Sequence, residues 1–138
     1  MTSTIKACMD QLETDLRAAL VPDFCDEIYD YRTLRDEKDR ALSISHLSTE
    51  PGDPTLGGKG RRYEFALYMT YRHTGTHASL RIAERGINDL ENQIFDTLEG
   101  STNTLWKLLE FHRASTKPGA PDDPGLRYGA VYFRLLLK

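Results

Sequence analysis

Between Arg62 and Leu98 the hydrophobic period of this chain changes once, abruptly. Tyr63, Phe65, Leu67, Met69 and Tyr71 alternate with smaller or polar residues, the period of two expected of a half-buried strand. After Gly75 the apolar positions become Leu80, Ala83, Ile87, Leu90, Ile94 and Leu98, three and four apart as on one side of a helix. A strand of one periodicity joined through a short turn to a helix of the other specifies a sheet with a helix laid across it. No other stretch of the chain constrains the fold as much.

The flanking segments extend that picture. Thr4 is placed to cap a helix whose apolar stripe is Ile5, Cys8, Met9, Leu12, Leu16 and Leu20. Val21-Pro22 ends it, because the residue before a proline is pushed out of the helical region. Glu27 to Tyr31 reads as a short first strand, and the mixed charges of 32–40 as a solvated turn. Ala41 to Leu47 reads as a second strand, with Leu42, Ile44 and His46 on one side and serines on the other. The second helix is expected over about 77–98, stopped by Gly100.

Thr104 to His112 fits a strand or a short helix equally by pattern. The turn residues before it and the proline-rich stretch after it favour strand. Arg127 to Leu137 alternates and becomes apolar on both sides, as a central strand covered on both faces would. The resulting order is α-β-β-β-α-β-β. It is an α+β fold: a mainly antiparallel sheet of four or five strands with two helices on one face. Two loops, near 48–60 and 114–125, are long for such a domain.

With 138 residues, 39% hydrophobic and 28% charged, the chain fits a single globular domain spanning 1–138. A net charge of −3 argues against a dedicated nucleic-acid binder, and Lys59-Gly60-Arg61-Arg62 reads as protection of a strand end. No apolar run approaches the ~18–20 residues of a membrane span, and the N-terminus lacks a signal-peptide core. Cys8 and Cys25, the two cysteines, read most simply as reduced, partly buried thiols of an aqueous reducing compartment, with a disulfide between them as the alternative that geometry decides.

Candidate chemistry is sparse. His73 and His77 have zinc-ligand spacing, but Gly75 lies between them and no third ligand or catalytic glutamate follows. Gly57-Gly58-Lys59-Gly60 lacks the spacing of a phosphate loop and enters a strand instead of a helix. The acid pairs Asp36-Glu37 and Asp122-Asp123 fall in loops, where two carboxylates rarely perturb one another enough for acid–base work. The serines at 43, 45 and 48 form no nucleophile elbow. No cofactor, metal or catalytic residue is expected.

The order of elements is similar to that of the small tail-completion proteins of long-tailed bacteriophages. It most resembles the tail terminator, in the Tyr63–Tyr71 strand, the Leu80–Leu98 helix and the ending Tyr128-Gly-Ala-Val-Tyr-Phe-Arg-Leu. The likeness is one of pattern, without signature residues. It implies a non-enzymatic virion subunit made in the host cytoplasm, forming a homo-oligomeric ring, commonly six-fold, at the head-proximal end of a tail. Its partners would be the tail-tube protein and a head–tail connector protein, with DNA passing through the lumen without specific binding. Mild acidity suits such a channel, since it repels phosphate.

On this reading the loops and strand ends make the contacts between subunits or partners. The candidates are Asp53, Leu56, Lys59, Arg61, Arg62, Lys117, Asp122 and Asp123. Two alternatives are a head–tail stopper or adaptor, and a small α+β enzyme or ligand-binding domain. The latter would have a pocket between helices and sheet, lined by His46, His73 or tyrosines. A densely packed seam would rule that pocket out.

Overall fold

The computed structural model describes residues 5–29, 39–50, 61–73, 79–101, 105–118 and 125–137. Helix α1, Ile5–Leu20, buries Cys8, Leu12, Leu16 and Leu20, one residue per turn along a single stripe. It ends before Val21-Pro22, a cis peptide bond. The amides of Phe24 and Cys25 both donate to the Leu20 carbonyl, at 2.7 and 3.1 Å, and so turn the chain back along the helix.

Strands β1 (Glu27–Tyr29), β2 (Arg40–Glu50) and β3 (Arg61–Arg72) follow, then helix α2 (Ser79–Glu99), then β4 (Trp106–Pro118) and β5 (Leu126–Leu137). The five strands form one sheet in the order β1-β2-β3-β5-β4. β1 pairs with β2 in parallel, and every other pairing is antiparallel. This is the expected α+β order. The proposed cap Thr4 lies outside the described residues, as do positions 74–78 before α2.

Three expectations need correction. β2 continues to Glu50, so 48–50 are strand, because Thr49 and Glu50 remain paired with Tyr63 and Arg62 of β3. β4 continues to Pro118, so 114–118 are strand also; the ladder from Ala114↔Val131 to Pro118↔Arg127 holds this polar stretch despite its composition. The third concerns coverage. β5 is interior, between β3 and β4, but the helices cover only one of its faces.

That face is set by register. Phe65 sits opposite Phe133 and Leu67 opposite Val131, with Ile44 opposite Leu67 on the other flank. All five are fully buried, and the two phenylalanine rings stack at 5.6 Å and 17°. Ile87, Leu90, Ile94 and Leu98 of α2 close over them, and α1 packs beside α2. The helix–sheet seam is therefore filled with apolar side chains.

β4 explains why its sequence reads ambiguously. Bulges at Leu109 and His112 each insert one residue opposite β5. Leu108 and Phe111, three apart as on a helix, consequently both face the helices, opposite Leu135 and Phe133. Phe111 meets Phe95 of α2 edge-on, with centroids 4.4 Å apart.

The short parallel strand is tied down by two arginines. Arg40 donates from Nε and Nη2 to Asp26 Oδ1 (3.1 and 2.6 Å), and to the carbonyls of Asp23 and Pro22. Arg17 bridges Glu13 and Glu27 and donates to the Ile28 carbonyl at 2.9 Å. Arg17 thus links α1 to β1, and Arg40 links β2 to the turn that follows α1, both through charge-assisted bonds.

Close approach of α2 requires two glycines. A Cβ on Gly86 would lie 2.1 Å from Tyr71 Cζ, and one on Gly129 would lie 2.6 Å from Met69 Cε. Gly86→Ala is expected to destabilise the fold by roughly 1–3 kcal/mol through overpacking, against the ~1 kcal/mol that alanine gains in a helix. In a Tyr71→Ala background the same change should become neutral or stabilising. Urea unfolding of the four variants checks this, and an unchanged sign in the double variant would refute the packing account.

Candidate interaction surface

The sheet face turned away from the helices carries the sequence's polar alternates. Its rows run across four strands: Glu50–Arg62–Leu136–Lys107, then Ser48–Glu64–Arg134–Glu110, Ser45–Ala66–Tyr132–Arg113, and so on to Thr70–Tyr128–Lys117. Among the described residues no element lies over this face. Ala66 and Ala130 are nevertheless buried, because they sit low between tall neighbours such as Glu64, Tyr68 and Tyr132.

The rows are knit sideways. Arg134 Nη1 donates to Glu110 Oε1 at 3.0 Å, Ser48 Oγ donates to Glu64 Oε2 at 3.4 Å, and Arg62 lies 3.5 Å from Glu50. Arg113 stacks 4.4 Å above the Tyr132 ring, whose flank meets Tyr68 edge-on at 6.4 Å. The Nε donors of Arg62 and Arg134 are out of water, with no hydrogen-bond partner among the described residues. Five cations against three carboxylates leave these rows with a net charge of +2. Tyr128, 39% exposed, adds an apolar plate beside Lys117.

Of the residues singled out in sequence, Arg61, Arg62 and Lys117 are described; Asp53, Leu56, Lys59, Asp122 and Asp123 lie outside the described residues. Arg61 is exposed at the start of β3, on the helix side of the sheet. Arg62 and Lys117 share the open face at opposite ends. Their rows are separated by the eight residue steps from Tyr128 to Leu136, roughly 27 Å at about 3.4 Å per step. They form no single cluster. What sequence reasoning missed is the middle of the face, where Glu110, Arg113, Tyr132 and Arg134 meet. Only the β4–β5 register, with its two bulges, brings them together.

The described histidines do not converge. His46 is exposed beside the bulge at Leu47, its Nε2 2.9 Å from Thr49 Oγ1 and 3.0 Å from the Ser48 carbonyl. The His73 amide donates to the Gly125 carbonyl at 2.9 Å. Among the described residues no three His, Cys, Asp or Glu side chains share metal-ligand geometry, and no helix is long and apolar enough to cross a membrane. The histidine pair, glycine-rich stretch and acid pairs set aside in sequence include positions outside the described residues.

Cys8 and Cys25 are free and fully buried. Burial pushes the Cys8 thiol up to about 12 and Cys25 to about 11, from an ordinary value of 9.0. Glu91 is also raised by its partial burial, while pairing with Glu13 and Glu27 raises Arg17 and pairing with Asp26 raises Arg40.

Two outcomes follow. Truncating Arg113 or Arg134 to alanine should shift stability by no more than about 1 kcal/mol, since half-exposed pairs contribute little; urea midpoints measure it. The thiols bind protons more tightly in the folded chain, so their stabilisation is full below about pH 9 and is lost as pH rises toward 11 and 12. The slope approaches ~1.4 kcal/mol per pH unit per thiol. Wild type should therefore lose more stability than Cys8→Ala/Cys25→Ala between pH 8.5 and 11, and equal losses would contradict this.

No family model and no curated protein matches the chain. Among solved structures, it is similar to a chain in the virion of a native gene transfer agent (GTA) particle, with a TM-score of 0.60 and 17% identity. The similarity covers 96% of this chain and 93% of that one, so the two share their fold from end to end.

Proposed function

We propose that this protein is a structural component of a phage-like particle, a non-enzymatic subunit that works through its surfaces. The observation that carries the reading is the fold shared, over nearly the whole of both chains, with a component of a gene transfer agent virion. The internal chemistry agrees with it. The seam where a substrate pocket would lie is filled by Phe65, Leu67, Phe133 and the α2 stripe, and the charged side chains are organised on an open sheet face.

More specifically, the protein is a tail terminator. Copies form a ring, commonly six-fold, at the head-proximal end of the tail, seated on the last ring of tail-tube protein and meeting the head–tail connector above. DNA passes through the lumen without specific binding. The element order that suggested this role supports it, as does a mixed sheet with β1 and β4 as its edge strands, since edges are where neighbouring subunits can add.

Purified protein mixed with uncapped tail tubes from its own particle should seal one end with a ring visible by negative-stain microscopy. Subunits that stay monomeric at the highest reachable concentration and leave tube ends unsealed would overturn the proposal. Binding to filled heads but not to tubes would identify a stopper or adaptor instead.

A further inference from the structure

The molecule is electrically polarised across its two layers. The open sheet face carries a net +2, whereas α2 carries Glu84, Asp89, Glu91, Asp96 and Glu99 against Arg81 and Arg85, a net −3 over the whole helix, with Glu91 half-buried and the other four acids exposed. Its charges also run against the helix dipole: the first turn holds no acid and the last no base. Within the chain this arrangement weakens the helix. It creates a negative pole at the end nearest Asp96 and Glu99, both exposed.

Area points the same way. Four strands spaced at about 4.8 Å and roughly 11 residues long present about 700 Å² before side-chain relief. A stable protein–protein contact buries about 800 Å² per partner. The sheet face, with Tyr128 and half-buried arginines, is of that order, and the narrower α2 stripe, about 10 Å wide and 30 Å long, covers roughly half of it.

We infer that the open sheet face and the acidic outer stripe of α2 are the two halves of one contact between copies of this chain. Because the halves are different patches, each copy offers one to the copy behind and the other to the copy ahead. Such a heterologous contact closes into a ring or runs on as a filament. The inference rests on the ring reading above and specifies how the ring is held. Charge complementarity of this kind sets orientation and encounter rate, and salt weakens it.

The test is charge reversal read by analytical ultracentrifugation, with circular dichroism confirming the fold. Lys107→Glu/Arg113→Glu turns the sheet face from +2 to −2, and Asp89→Lys/Asp96→Lys turns α2 from −3 to +1. Each double variant should weaken association at least roughly tenfold, and the quadruple variant should recover most of it. Assembly of both double variants at the wild-type concentration and salt would overturn this contact while leaving the ring reading intact. A wild type that stays monomeric at low salt would overturn both. Loss in the double variants without recovery in the quadruple would also refute the pairing of these two faces.

Discussion

The antiparallel pairing of β3 with β5 governs the rest of the structure. Twelve residue pairs run from Arg61↔Leu137 to Arg72↔Leu126 without a bulge. Because side chains alternate, this register puts Phe65, Leu67, Phe133 and Val131 on one face and Glu64, Tyr68, Arg134 and Tyr132 on the other. A slip of one residue in either strand would turn its apolar set to the wrong side. The two helices then have one apolar surface to cover, and they cover it from the same side. The open face is the direct consequence, and the functional reading depends on it.

Packing fixes the helices where periodicity alone does not. α2 approaches the sheet at Gly86, against the Tyr71 ring, and at Gly129, against Met69 and Ile87. α1 contributes one stripe and is held at its C-terminal end by the Arg17 and Arg40 networks, which also secure the three-residue parallel strand. These arginines belong to the scaffold. Those on the open face make single pairs with half-exposed carboxylates in place of several bonds to carboxylates and carbonyls, and their removal is expected to cost the fold little.

Sequence made the strong periodicities legible: β3, the face of α2 and the stripe of α1 all lie where their spacing puts them. It misled where pairing, not composition, decides. Ala114 to Pro118 is polar and ends in proline, yet it is strand because β5 lies alongside. Leu108 and Phe111 mimic helical spacing because a bulge separates them. The apolar run of Leu135 and Leu136 suggested cover on both faces, whereas only Leu135 is fully buried. The same limit applied to the surface. Local context singles out Arg62 and Lys117, while Arg113 on Tyr132 and Arg134 on Glu110 arise from contacts between strands that no local pattern encodes.

We propose that the side of this sheet left open by the helices is its assembly surface. Hydroxyl-radical footprinting of Tyr128 and Tyr132, in the free protein and in the assembled particle, tests it directly. Strong protection of both tyrosines on assembly is the predicted result. Equal modification in the two states would mean that the open face stays in water, and the account would fail.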